Sequence, residues 1–318
     1  MKPVLDLEIL IATKDRSSNL EKLLASINDS SSLPKRVIVV YSGEEIDKVV
    51  NKFKNCFTIE SIYSEVASQV KQKQLGINAL DHNCNWVLFL DDDLLIKSFT
   101  LENLFKNYLQ NERYKDYAGF GLALDQIKKR KSSLFIKFVL AAFKLYSFKS
   151  GSITISGHPQ TYLDQPVNCR VAWLNGLSVW RRDTLQFYNS NSIYIPYSAY
   201  EDVIFSYQVG KFYKLLFLAD IIVENQSKLT SSKLKKSHFM YGAFLRYYFV
   251  DSNPEFSKFW LLVSQVVRSI DFIFFGDHET TPFDRIISAT KLWSVLFLAY
   301  ITKVDGKSLI KSKLELDF

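Results

Sequence analysis

Residues 85–93 read Asn85-Trp86-Val87-Leu88-Phe89-Leu90-Asp91-Asp92-Asp93, five apolar residues running straight into three acids. A short unbroken apolar run of this kind predicts a strand covered on both faces, the habit of strands in a parallel sheet. Its upstream neighbours have the same character. Leu5 to Thr13 alternates at Asp6 and Glu8 and then runs through Ile9-Leu10-Ile11-Ala12, and Arg36-Val37-Ile38-Val39-Val40-Tyr41-Ser42-Gly43 is a second apolar run ending in a turn. Between them Ser17, Ser18 or Asn19 caps a helix whose Leu20, Leu23, Leu24 and Ile27 fall at helical spacing, and Pro34 resets the chain. Strand, helix and strand within about 40 residues make a βαβ opening. A helix over Glu45–Lys54, a strand near Phe57–Ile62 and a helix over Glu65–Leu80 lead back to the acidic run. Beyond it come a helix around Leu101–Gln110 and strand-like stretches near Thr161–Leu163, Arg170–Leu174, Asn175–Arg181 and Leu215–Leu218. From about Ser231 onward the pattern is helical, aromatic on one side and basic on the other. The sum predicts an α/β fold: a mixed, mostly parallel central sheet flanked by helices, with a helical C-terminal extension.

Composition sets the outer limits. At 318 residues, 47% hydrophobic and only 23% charged, the chain is neither disordered nor a short binding module. Lys and Arg number 40 against 33 Asp and Glu, a net +7, and 15% of residues are aromatic, many of them beside lysines in the second half. Cys56, Cys84 and Cys169 are widely spaced and odd in number. Neither a disulfide framework nor a CxxC metal site is available to them, so a reducing, cytoplasmic compartment is expected. Met1–Glu8 lacks a signal-peptide apolar core. The stretch Phe259–Phe275 carries Arg268 and Asp271 in its middle, each costing about 2.5–3.5 kcal/mol at a bilayer centre, so it is not expected to span.

The acids at the end of the apolar run point to chemistry. In open α/β sheets ligands bind outside the carboxyl ends of strands, and three consecutive acids beside an apolar core need positive charge to offset them. If the segment stays extended, Asp91 and Asp93 face the same way and can together hold a hard cation such as Mg²⁺ or Mn²⁺, with a diphosphate completing the shell. The structural alternative is an acidic turn capping the next helix. Position after a buried strand favours the metal. Glu201-Asp202 offers either a general base for an attacking hydroxyl or an acidic pair favoured at a helix N-terminus.

Six segments in order carry a resemblance. They are Thr13-Lys14-Asp15-Arg16, the VIVVYSG strand, Lys73-Gln74-Leu75-Gly76-Ile77-Asn78-Ala79, FLDDD, Asn175-Gly176-Leu177-Ser178-Val179-Trp180-Arg181-Arg182 and Glu201-Asp202. Over about residues 5–240 the chain resembles glycosyltransferase family 2, inverting nucleotide-sugar enzymes of the GT-A fold. The resemblance implies a catalytic domain over residues 1–230 and a helical extension over 231–318. Within the former, 1–93 is the nucleotide-binding half and 94–230 the acceptor half, with a basic-aromatic insertion near 127–149. It implies that Thr13, Arg16, Ser42 and Asp92 lie on the nucleotide, and that Lys73 and Gln74, with Gly76 after them, serve the phosphates. It makes Asp91 and Asp93 the DxD metal pair, and Asp202, paired with Glu201, the catalytic base; it makes His238 a candidate third metal ligand, the alternative being a surface residue beside the basic run. Trp173, Asn175 and Gly176 then line the sugar or acceptor pocket; a plain turn at Asn175-Gly176 and core packing of Trp173 are the alternatives. Two departures stand out: family members usually carry an Asp where Tyr41-Ser42 stands, and Arg-Asn where this chain has Lys73-Gln74.

The implied cofactor is Mn²⁺ or Mg²⁺, the implied donor a nucleotide-diphosphate sugar, with UDP-sugars first, and the implied acceptor a cell-surface glycan or lipid-linked molecule. Leu134–Phe148, Phe256–Phe275 and Lys291–Lys303 are apolar with interspersed Lys or Arg. They fit either core helices or interfacial helices on an anionic membrane surface, hence peripheral attachment to the inner face of the cell membrane. No nucleic-acid recognition motif is present, so nucleic acid is not an expected partner. Two rival functions are a nucleotidyltransferase, which also uses paired aspartates but needs a Gly-rich basic loop after the first strand, and a non-catalytic glycan-binding scaffold.

Overall fold

The apolar run before the acids forms β4 (Trp86–Asp91), parallel to β1 (Val4–Lys14) with Asp91 opposite Ala12. The computed structural model describes residues 2–125, 133–188, 200–226, 236–276 and 280–314. From β1 the chain passes through α1 (Ser17–Asn28) to β2 (Leu33–Ser42), then through α2 (Asp47–Asn51) to β3 (Ile59–Tyr63). It then crosses by α3 (Gln69–Asn78) to add β4 on the other side of β1. After β4 come β5 (Leu94–Leu95), α4 (Thr100–Leu104), β6 (Tyr117–Leu124), α5 (Leu134–Ala142), β7 (Cys169–Val171), β8 (Ser178–Arg181), α6 (Glu201–Gly210) and β9 (Lys214–Asn225). Four helices close the described chain: α7 (Lys236–Asp251), α8 (Lys258–Phe275), α9 (Pro282–Ile301) and α10 (Gly306–Leu314).

The sheet order is β3-β2-β1-β4-β8-β6-β9-β5, with β7 also on β9. β3, β2, β1 and β4 are mutually parallel, β8 runs against its neighbours, and β6 and β9 are again parallel. The expected mixed, mostly parallel sheet is therefore observed. Alternation sends Leu7, Ile9 and Ile11 into one core with Leu20, Leu24, Val37 and Leu88, and Leu10 into the other with Ile38, Val40, Val87 and Phe89. Both faces are covered, which is why these strands lack a polar side in the sequence. One charge is built into this core: Glu8 is wholly buried and accepts from Arg36 Nε at 2.6 Å and from the backbone N of Asp81 at 3.1 Å.

Local expectations shift in places. Residues 161–163 form no strand, because Tyr162 is drawn fully into the core and its hydroxyl holds Asn175 instead of extending a ladder. The helix expected over Leu101–Gln110 is α only to Leu104 and continues as a π turn over Phe105–Leu109. The helix expected from Glu65 begins at Gln69, and Val66 stands exposed before it. The basic patch Lys128–Lys131 lies outside the described residues.

The chain divides into two compact units that interleave in sequence. Unit 1 is Met1–Lys128, Tyr162–Ser190 and Phe205–Leu229, and it holds every strand named above. Unit 2 is Lys129–Thr161, Asn191–Ile204 and Thr230–Phe318, which contains α5, the first turn of α6 and α7–α10. Within unit 2, α8 and α9 pack by one face each, through Leu261, Gln265 and Phe272 on α8 and Ala289, Leu292 and Leu296 on α9.

Candidate active site

β1 and β4 flank the point where the strand order reverses, and the site lies at their carboxyl ends in unit 1. There β4 stops at Asp91, and Asp92-Asp93 begin a turn. Asp91, Asp92 and Asp93 are therefore not one extended segment, and Asp91 and Asp92 meet different partners. Asp92 is buried and accepts from Thr13 Oγ1 at 2.6 Å and Arg16 Nη1 at 3.0 Å. Burial raises the Asp92 carboxyl above its ordinary value, while Thr13 and Arg16 pull the other way. Arg16 is half exposed, stands 3.9 Å from Asp93 as well, and is held charged chiefly by its hydrogen bond to Asp92.

Asp91 faces a different group. Its Oδ1 accepts from Gln69 Nε2 at 3.0 Å, and Lys73, buried on the same face of α3, lies with its Nζ 5.7 Å from the centre of the Phe89 ring. A Cβ on Gly176 would lie 3.7 Å from Asp91 Oδ2 and 3.9 Å from Lys73 Nζ. Carboxylate, ammonium and a bare backbone glycine thus meet at one place. Gly176 is preceded by Asn175, whose backbone N donates to Tyr162 Oη at 2.7 Å, while the Tyr162 hydroxyl lies 3.2 Å from Asn175 Oδ1. Trp173 is half-buried and meets Tyr162 edge-on, with ring centres 5.1 Å apart.

The turn after β2 needs its glycine. Asp15 at φ 52° accepts from Glu44 N at 2.9 Å, and Glu44 accepts from Ser17 N at the start of α1 at 2.7 Å. Gly43 has φ 83°, and a Cβ there would fall 2.0 Å from Asp15 Oδ1. Beside it Ser42 is buried and its Oγ has no hydrogen-bond partner among the described residues.

Other expected residues sit apart from this centre. Gln74 turns outward and donates to Asn78 Oδ1 at 3.1 Å. Gln72 is the buried amide, donating to the carbonyls of Thr13 at 2.7 Å and Val40 at 3.0 Å and so fixing α3 on the ends of β1 and β2. Spacing could have found it, since 69, 72, 73 and 76 share one helical face and 74 does not. Gly76 serves packing: a Cβ there would meet Leu10 Cδ1 at 2.0 Å. Gln226, which the sequence did not mark, anchors the acidic turn. Its Nε2 lies 3.2 Å from the Asp92 and Leu94 carbonyls and 3.0 Å from that of Asn19, and its backbone N donates to Asp93 O at 2.8 Å.

Glu201, Asp202 and His238 belong to unit 2. Glu201 and Asp202 open α6; Glu201 is buried, and Asp202 Oδ1 accepts from the backbone N of Val203 at 2.8 Å. His238 is half-buried in the first turn of α7. Among the described residues no three His, Cys, Asp or Glu side chains gather as a metal cage.

No family model matches the sequence. No curated protein matches it either. Solved structures do match in shape. S. aureus TarS, residues 1–349, superimposes with a TM-score of 0.52 at 15% identity, covering 99% of this chain and 92% of that one. The same fragment in complex with UDP-GlcNAc gives the same figures. The mannosyltransferase PcManGT from Pyrobaculum calidifontis, in complex with GDP-Man and Mn²⁺, has a TM-score of 0.49 at 13% identity and covers 99% of this chain and 87% of its own. The fold is accordingly that of the GT-A glycosyltransferases.

Proposed function

We propose that this protein is a metal-dependent, inverting glycosyltransferase that moves a sugar from a nucleotide-diphosphate donor, a UDP-sugar, to a cell-surface glycan or lipid-linked acceptor. The observation that carries the reading is the meeting of Asp91, Lys73 and Gly176 at the carboxyl end of β4 in a GT-A sheet. The likeness to a fragment crystallised with UDP-GlcNAc supports the choice of donor class.

The donor set suits Mn²⁺ or Mg²⁺. Such ions take one or two carboxylates and complete their shells with phosphates and water, so a dedicated protein cage is not needed. Asp91 and Asp93 would hold the ion, with His238 as the third ligand; when bound, it supplies Lewis-acid neutralisation of the leaving diphosphate. Lys73 provides a fixed positive charge for phosphate oxygens without an arginine fork. Arg16, oriented by Asp92 and half open to solvent, provides a second. Gly176 keeps the floor beneath the sugar free of side chain, with Asn175 and Trp173 at its border. Asp202 takes the proton of the acceptor hydroxyl as that oxygen attacks the anomeric carbon, and Glu201 supports it; a single displacement inverts the centre. Apart from His238, residues 1–230 carry this chemistry, and 231–318 form the accessory part.

The accessory surface fits an anionic membrane. α5 buries no residue and exposes Leu134, Phe135, Ile136 and Phe138, while α8 and α9 expose Phe274, Phe275, Phe283 and Leu298 opposite their packed faces. No described helix is long and apolar enough to cross a membrane. Apolar side chains flanked by lysines are suited to lie in the headgroup layer. Flotation with anionic liposomes at low salt tests this, and recovery wholly in the unbound fraction removes it.

Donor hydrolysis with Mn²⁺ tests the catalytic reading. Loss of turnover in Asp91→Ala, Asp93→Ala and Asp202→Asn supports it. Wild-type turnover in all three overturns it and leaves the scaffold reading, whereas release of pyrophosphate from a nucleoside triphosphate indicates a nucleotidyltransferase.

A further inference from the structure

Unit 2 buries positive charge that the donor chemistry does not use. Arg246 on α7 is 4% exposed, and its Nε and Nη1 have no hydrogen-bond partner among the described residues. Gln265 on α8 is 1% exposed, and its Nε2 likewise has no partner among the described residues. One turn further along α8, Arg268 Nη1 stands 3.4 Å from His158 Nδ1.

The surroundings are shaped around these groups. The Thr154–His158 turn is closed by Thr154 N on His158 O at 3.0 Å and Gly157 N on Thr154 O at 2.8 Å. Gly157, at φ 76°, lets the turn press on α7, since a Cβ there would lie 3.1 Å from Arg246 Cγ and 2.6 Å from Val250 Cγ2. The buried Tyr200 hydroxyl donates to Gly157 O, and its ring meets Phe249 edge-on at 5.6 Å. Phe239 and Phe272 stack at 4.2 Å between α7 and α8.

The unmet need is one-sided. Burial first, and then the charge of Arg268, push Arg246 down to about 9, so it is still cationic at neutral pH. His158 is held well below its ordinary value by burial and by both arginines, which leaves it neutral. Asp271 acts on Arg268 and Asp202 on Tyr200 only through space. Among the described residues no ion pair joins either arginine to a carboxylate. Asp251, the last residue of α7, is engaged by Lys258 at 2.7 Å and Gly306 N at 2.7 Å. A buried cation without a counter-charge is strongly unfavourable. Guanidinium and amide donors with no acceptor among the described residues match a ligand that only accepts, and arginine forks fit the edges of a phosphate.

We propose that Arg246, Arg268 and Gln265 form a buried oxyanion-binding site that takes a phosphate group, free or esterified on a larger molecule. An esterified phosphate held there lies in the same unit as Asp202, two residues from Tyr200, and would make the acceptor itself a phosphate ester; that source alone rests on Asp202 being the base.

Thermal unfolding with inorganic phosphate, at constant ionic strength and with chloride as the reference, tests the site. The wild-type midpoint should rise by roughly 2–4 °C at about ten times the dissociation constant. Arg246→Met and Arg268→Met should each abolish the rise, and in phosphate-free buffer Arg246→Met should unfold at or above the wild-type midpoint. Glycerol 3-phosphate acting as strongly as inorganic phosphate assigns the site to an esterified ligand, and inorganic phosphate acting alone assigns it to the free ion. No phosphate-specific rise in the wild type, or an equal rise in both variants, overturns the proposal. Should the Met variants fail to fold, Arg246→Lys keeps the charge but not the fork; an apparent affinity at least about tenfold weaker supports the site, and an unchanged one overturns it.

Discussion

Both units bury charge, and they treat it in opposite ways. In unit 1 the wholly buried Glu8 is met on one oxygen by Arg36 and on the other by the Asp81 amide, and the buried Asp92 is met by Thr13 and Arg16. In unit 2 Arg246 is nearly as buried, yet two of its nitrogens have no hydrogen-bond partner among the described residues. Matched charge belongs to the fold, whereas unmatched charge of one sign marks a place where the matching group arrives from outside. Asp91 stands between these cases: it is half-buried, held by Gln69, and set close to Lys73 beside a bare glycine.

Substitutions on either side test this contrast. The largest effect is expected at Asp91: Asp91→Ala should lower Mn²⁺-dependent donor turnover by about 10³-fold, on the order of 4 kcal/mol of transition-state stabilisation. Its urea midpoint should stay near that of the wild type, because this charge serves a ligand. Arg36→Met attacks a matched pair and strands Glu8, so urea unfolding should show a loss of about 3–5 kcal/mol. Arg246→Met is the mirror experiment, and near-zero or positive change there, against the large loss at Arg36, is what the contrast requires.

Gln226→Ala removes the amide that holds the acidic turn to the start of α1. A loss of about 1–3 kcal/mol is expected, together with a higher Mn²⁺ requirement for turnover; an unchanged metal titration would reduce Gln226 to a purely structural role. The smallest effect belongs to Asp92→Asn. Because burial raises the Asp92 carboxyl, the native state holds that proton more tightly than the unfolded chain does. The group therefore favours the fold at low pH and withdraws that support as pH rises through the ordinary aspartate range to the raised native value. Asp92→Asn should match the wild type below that window and be modestly more stable above it, as read by melting curves from pH 3 to 7.

Much of unit 1 was legible. β1, β2 and β4 stand where their apolar runs placed them, since strands covered on both faces cannot hide polar residues. The misreading at residues 161–163 has the same root turned around: Tyr162 is apolar because its ring fills the core and its hydroxyl holds Asn175, not because it extends a ladder. At the site, spacing on α3 was enough to separate the inward Gln69, Gln72 and Lys73 from the outward Gln74, but motif order pointed to Gln74. The Asp91-Asp92-Asp93 run was recognisable, while the turn that sends Asp92 inward to Arg16 was not.

By itself the sequence determined which segments are strands and helices, which face of each is apolar, and that acids end the central strand, because these properties repeat at short, local intervals. Which charges meet is set by the packed fold. Thr13 and Arg16 reach Asp92, Arg36 reaches Glu8, Gly176 reaches Asp91 and Lys73, and Arg246 reaches no acid among the described residues. Those pairings join residues tens of positions apart, and burial sets their strength; neither quantity exists until the chain has closed around them.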